Sequence, residues 1–261
     1  DVTGSMSTNN NIATLRTAAT NFVDTMFNRV TNTDMIKIGL VPFSSSVNVG
    51  PYGLGLTPCG LAYDDAFMNN PSNLTYSTTS TSRWGGCVLE STTTDLDRID
   101  HEGPWNMYRY CRTSTGAVIP GCDTTRSGRS PNYTYTANRN QNYLCPRTPV
   151  TPLTNNETEL KTSIGTLTAD GFTYINTGLA WGLRLISPEY PFSEGESWSN
   201  EDWQKAIILM TDGLSTMHQY YSIYGPTASH TITPADLDNR ILDVCDILKD
   251  KNVLVYTITF D

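Results

Sequence analysis

The stretch Asp1-Val2-Thr3-Gly4-Ser5-Met6 constrains this chain more than any other. It sets one carboxylate and two hydroxyls at alternate positions, and alternate side chains of an extended segment point the same way. Behind it, Ile12, Leu15, Ala19, Phe22, Val23, Met26 and Val30 recur at three- and four-residue intervals, the stripe of an amphipathic helix. Asp1, Thr3 and Ser5 are therefore expected to converge where that helix presents free N–H groups and the positive end of its dipole. Their donors are all hard oxygens, which suit Mg²⁺, Mn²⁺ or Ca²⁺ rather than zinc.

Further along, Met35 to Val41 reads as a strand, with Ile36, Ile38 and Leu40 alternating, and Pro42 ends it. The run Ser44-Ser45-Ser46 lacks a G-x-S-x-G context and a paired histidine, so a solvated loop is expected there. Between about residues 50 and 150 periodicity gives way to turn formers and cysteines. A stretch of that length predicts an insertion, residues 51–150, forming a small disulfide-pinned subdomain with short strands. Five of the six cysteines lie there, in no zinc-binding spacing, which points to disulfides and an oxidising compartment. His101, between Asp100 and Glu102 in polar sequence, is expected to be solvated.

Leu160, Ile164 and Leu167 mark a short helix, and a second helix runs from about Asn176 to Leu185. After a polar segment from Ser187 to Asp202, the aliphatic run Lys205 to Thr211 predicts a buried parallel strand with Asp212 at its carboxyl end. Residues 214–232 read as a polar loop containing His218 and His230. Thr233 as N-cap and Pro234 at the first helical position open a helix carrying Leu237, Ile241, Val244, Cys245 and Leu248. Val253 to Phe260 reads as the last strand. Strands alternating with helices predict an α/β, doubly wound, Rossmann-like architecture, whose ligands bind outside the carboxyl ends of a parallel sheet.

The net charge of −9 argues against a nucleic-acid partner, and no basic stripe interleaved with aromatics occurs. No apolar run approaches the roughly twenty residues a membrane-spanning helix needs.

Three stretches taken together resemble the von Willebrand factor type A domain: the opening hexapeptide, Gly171-Phe172-Thr173-Tyr174-Ile175-Asn176-Thr177-Gly178-Leu179, and Ile207-Ile208-Leu209-Met210-Thr211-Asp212-Gly213. The resemblance includes the metal-ion-dependent adhesion site of that family, written D-x-S-x-S, a loop threonine, then T-D-G. It implies that Asp1, Thr3, Ser5, Thr173 and Asp212 hold one divalent ion, Mg²⁺ or else Mn²⁺ or Ca²⁺. Thr3 stands where the family more often has serine, which keeps the hydroxyl and adds a methyl group. The implied domain is discontinuous, residues 1–50 and 151–261. Its first strand, ending at Asp1, and a strand and helix after Phe260 are expected to be missing from this stretch.

Lys37-Ile38-Gly39-Leu40-Val41-Pro42-Phe43, Trp84-Gly85-Gly86-Cys87-Val88, Gly178-Leu179-Ala180-Trp181-Gly182 and Val255-Tyr256-Thr257-Ile258 narrow the likeness. With the site motifs, they look like the TadG-like proteins of bacterial tight-adherence pilus systems. Such proteins carry an N-terminal membrane anchor and expose the A domain outside the inner membrane. The resemblance thus implies a non-enzymatic adhesion or pilus-assembly module, periplasmic or at the cell surface, that binds a protein through an acidic side chain completing the metal's coordination. Pairing of Cys87 with Cys145 and of Cys111 with Cys122 is expected, although six cysteines leave other connectivities open.

Two other readings compete. A haloacid-dehalogenase-like phosphohydrolase also places an acid before T-G, but it usually needs a second acid where Thr3 stands and a phosphate-binding lysine. A structural domain with an empty metal site is the third. Metal titration separates the last from the first, and a phosphatase assay separates the second.

Overall fold

A computed structural model of the chain describes residues 1–70, 73–80, 83–90, 103–110, 142–217, 224 and 232–260. The expected Cys111–Cys122 pair and the three histidines lie outside them.

Helix α1 (Asn11–Phe27) follows the opening hexapeptide through a 3-10 segment, Gly4–Asn10. Asn9 and Asn10 adopt left-handed backbone there, which asparagine tolerates better than most residues. The apolar stripe of α1 packs Leu15, Val23 and Phe27 with Val2, Met6, Leu160 and Ile164. The last two come from helix α2 (Glu157–Gly165), whose N-cap Asn156 accepts a hydrogen bond from the Glu159 N–H.

Strand β1 covers only Ile38–Leu40, shorter than the alternation predicts, because Thr33–Met35 forms a 3-10 turn capped by the Asn32 side chain. Three short strands within residues 51–150 come next: β2 (Met68–Asn69), β3 (Val88–Leu89) and β4 (Trp105–Met107) form a sheet ordered β2-β4-β3. The pair β2·β4 is parallel and β3·β4 antiparallel. Strand β5 (Thr151–Thr154), which the sequence pattern did not indicate, pairs antiparallel with β1. That edge departs from the all-parallel expectation.

Helix α3 (Ile175–Ile186) is buried almost throughout, and β6 (Ala206–Thr211) pairs parallel and in register with β7 (Leu254–Thr259). Helix α4 (Pro234–Asp250) lies between β6 and β7 and carries the predicted Thr233 cap as a reciprocal capping box. The structure is thus a mixed helix and strand assembly of small sheets that includes one parallel pair.

Helices cover both faces of these strands. Ile38, Leu40 and Met210 pack with α1 and α2, whereas Ile207 packs with the apolar faces of α3 and α4. Strand β6, expected to be buried, is partly buried along its middle, and all six residues of β7 are exposed.

The described part of residues 51–150 shares a hydrophobic cluster with the rest of the chain. Phe67, Trp84 and Trp105 pack with Trp181, Leu185 and Phe192. A disulfide joins Cys87 to Cys145, as expected, while Cys59 and Cys245 are free thiols. Glu90 reaches across to α3, accepting from Arg184 Nη1 at 3.0 Å and from Trp181 Nε1 at 2.6 Å. Among the described residues no helix is long and apolar enough to cross a membrane.

Candidate functional site

The carboxyl ends of β1 and β6 and the loop entering α3 meet at the opening hexapeptide. The Asp1 amino group donates to Met210 C=O at 2.9 Å, and Val2 N–H donates to Phe43 C=O at 2.9 Å. On the other side, Val2 C=O accepts from Asp170 N–H and Gly4 N–H donates to Gly171 C=O. Three chain segments far apart in sequence are thereby tied to the hexapeptide by main-chain hydrogen bonds.

The side chains continue that convergence. Asp1 Oδ1 accepts from Thr3 N–H at 2.8 Å, and Asp1 Oδ2 accepts from Thr211 Oγ1 at 2.7 Å. Thr3 Oγ1 lies 3.0 Å from Ser5 Oγ, which donates to Asp212 Oδ1 at 2.8 Å. A hydroxyl has a single proton, so with the Ser5 proton on Asp212 the Thr3 hydroxyl is the donor in its own pair. Both hydroxyl oxygens retain lone pairs, and each carboxylate retains acceptor capacity. Thr3 is fully buried and Asp1 nearly so, whereas Ser5 is exposed and Asp212 half-buried. The cluster therefore opens to solvent on the Ser5 and Asp212 side.

Asp1, Thr3, Ser5 and Asp212 thus form one hydrogen-bonded run. Thr173 reaches it through backbone only: it lies two residues beyond Gly171, and its N–H donates to Thr216 Oγ1 at 3.0 Å. Thr216 N–H returns a bond to Thr173 C=O at 2.9 Å, which ties the α3 loop to the segment after Asp212.

Three supporting residues escaped the sequence reading. Thr211 orients Asp1, although its only signal was its place beside Asp212. Ser44 and Ser45 were expected in a solvated loop and are instead buried. Their polar groups are needed inside: Ser44 C=O accepts from Tyr174 N–H, and Ser45 Oγ accepts from Phe172 N–H at 2.8 Å. Gly171, at φ +89°, lies against them, and a Cβ there would meet Ser45 Oγ at 2.8 Å. Only glycine combines that backbone with that approach.

Among the described residues, no cluster of three or more His, Cys, Asp and Glu side chains is placed to hold a metal ion. The donors gathered here are two carboxylates and neighbouring hydroxyls, a set that fits a hard cation retaining several waters. Comparison with protein-family models, with curated proteins and with solved structures found no match for this chain.

Proposed function

We propose that this chain is a non-enzymatic, metal-dependent protein-binding module of the von Willebrand factor A type, with a doubly wound sheet, related to the TadG-like pilus-assembly proteins. The observation that carries the reading is the run from Asp1 through Thr3 and Ser5 to Asp212, which joins residues 207 positions apart at one solvent-facing point. Thr3 and Ser5 would bind Mg²⁺ directly, together with Thr173, and at least one of Asp1 and Asp212 would act through water. Because uncharged hydroxyls dominate such a shell, the ion keeps much of its positive charge and attracts a carboxylate of the partner. On a chain of net charge −9, that local reversal is what lets an acidic partner approach. The same reading makes the module extracytoplasmic, in the periplasm or at the cell surface, consistent with the Cys87–Cys145 disulfide.

Calorimetry with Mg²⁺ and Mn²⁺ tests the metal site. Binding by the wild-type chain and its loss in Asp212→Ala are expected, and wild-type chain that binds neither ion sinks the proposal. Capture of a partner should then fail in EDTA and in Ser5→Ala. Capture that survives EDTA and Asp212→Ala, but not deletion of residues 60–144, would move the contact to the insertion.

A further inference from the structure

Asp212 and Thr216 bound a short loop that is fastened at both ends. Asp212 Oδ1 accepts from Ser5 Oγ at 2.8 Å. At the other end Thr216 Oγ1 accepts from Thr173 N–H at 3.0 Å, and Thr216 N–H donates to Thr173 C=O at 2.9 Å. One anchor is thus a proposed ligand of the ion, and the other holds a second proposed ligand. Between them Ser215 is turned inward, 7 % exposed, while Leu214 is 85 % exposed, more than any other large apolar side chain among the described residues. Gly213 is exposed as well, and a Cβ there would meet nothing within 4 Å. The middle of the loop stands clear of the protein, although its ends do not.

A single exposed leucine is ordinary on a protein surface. Leu214 differs in where it is held. Two residues of chain span at most about 7 Å, so its Cα lies within that distance of the Asp212 Cα. On the side of Ser5, the exposed residues that follow it, Ser7, Thr8, Asn9 and Asn10, are polar and uncharged. One large apolar side chain therefore stands beside the point where Ser5 and Asp212 open to solvent. The bonds to Ser5 and Thr173 hold it there before any partner arrives, which lowers the ordering cost of a contact.

We propose that Leu214 selects the partner, docking an aliphatic or aromatic side chain that lies within two positions of the carboxylate given to the ion. This rests on the metal-binding reading above and adds a second contact to it. The ion accepts any carboxylate, whereas Leu214 distinguishes one acidic segment from another. Successive Cα atoms are about 3.8 Å apart, so a neighbour one or two positions from the partner's acid matches the reach from Asp212 to Leu214. A polar neighbour there would cover the leucine and lose its own water without return.

Three labelled heptapeptides test this by fluorescence anisotropy in Mg²⁺. The first has a central aspartate flanked on both sides by leucine, the second the same aspartate flanked by serine, and the third asparagine flanked by leucine. Burying a leucine side chain is worth about ten- to a hundredfold in affinity, so the wild-type chain should favour the first peptide over the second by that factor. The preference should be lost in Leu214→Ser and kept in Leu214→Met, which preserves an apolar side chain of similar size. Being a ratio measured on one protein, it is insensitive to any change in Mg²⁺ affinity on substitution. No preference in the wild-type chain, or one that survives Leu214→Ser, overturns the contact, as does a chain that binds Mg²⁺ but none of the peptides. Asparagine bound as tightly as aspartate, or binding that persists in EDTA, refutes the metal-bridged reading instead, and the flank preference still judges Leu214.

Discussion

Replacing Glu90 by alanine should be among the most damaging single changes in the chain. Glu90 and Arg184 are 3 % and 2 % exposed, and the carboxylate accepts from both guanidinium nitrogens, Nη1 at 3.0 Å and Nη2 at 3.3 Å. A guanidinium cannot shed its proton, so Glu90→Ala leaves a full positive charge inside the protein. Breaking a buried pair from one side costs about 3–5 kcal/mol. The rings of Trp181 and Trp105, 4.7 and 5.2 Å from the Arg184 guanidinium, persist in the variant. They offset about 1–2 kcal/mol of that cost. A net loss of about 3 kcal/mol follows, a large fraction of the roughly 5–15 kcal/mol that holds a typical domain. Urea unfolding followed by tryptophan fluorescence reads it as a lower midpoint at unchanged slope. The double variant Glu90→Leu/Arg184→Met removes both charges and should lose less than Glu90→Ala alone. A single-variant loss below about 1 kcal/mol, or a double variant as damaged as the single, would refute the reasoning.

Three further outcomes follow from the packing. Replacing Cys87 and Cys145 by alanine frees a loop spanning 58 positions and should cost about 4 kcal/mol by loop-closure entropy, measured by calorimetry against the oxidised chain. Thr233→Ala removes the hydroxyl that accepts from Asp236 N–H at 3.3 Å in the capping box of α4, and should lose about 1 kcal/mol in urea unfolding. Gly178→Ala would place a Cβ 2.3 Å from the Phe43 ring. Glycine to alanine ordinarily favours a helix by about 1 kcal/mol, so a fall of about 1–3 kcal/mol would have the opposite sign and a rise would contradict the close packing.

Much of this was legible in residue order. The stripes of α1 and α4, the Thr233 cap and the Asp212 position follow from periodicity and capping chemistry, which act within a few residues. The Cys87–Cys145 pair was expected and is formed. Strand β5 was not legible, because Thr-Pro-Leu-Thr carries little strand signal and owes its conformation to the β1 edge beside it. The serine run was misread for a related reason. Three consecutive hydroxyls suggest solvent, yet the groups bonded by Ser44 C=O, Ser45 Oγ and Ser46 Oγ, on Tyr174, Phe172 and Val88, are more than 40 positions away and are supplied only by the fold. At the candidate site the residue types were visible, while Thr211 as the support of Asp1 was not, since adjacent strand residues point to opposite faces.

Those serines also tie residues 51–150 to a site that needs fixed geometry. Ser46 Oγ donates to Val88 C=O at 2.8 Å, and Val88 N–H donates to Val47 C=O, so the loop is stitched to the β2-β4-β3 sheet beside the disulfide. One and two residues earlier, Ser45 and Ser44 hold the backbone of Phe172 and Tyr174 on either side of Thr173. The same helix is held a second time, where Glu90 meets Arg184 nearly three turns into α3. Two separated attachments resist rotation of α3 as well as its translation, whereas one would act as a pivot. The loop bearing Thr173 is therefore braced by residues outside the segments that form the candidate site. Loosening Glu90 should therefore disturb that loop as well as the core.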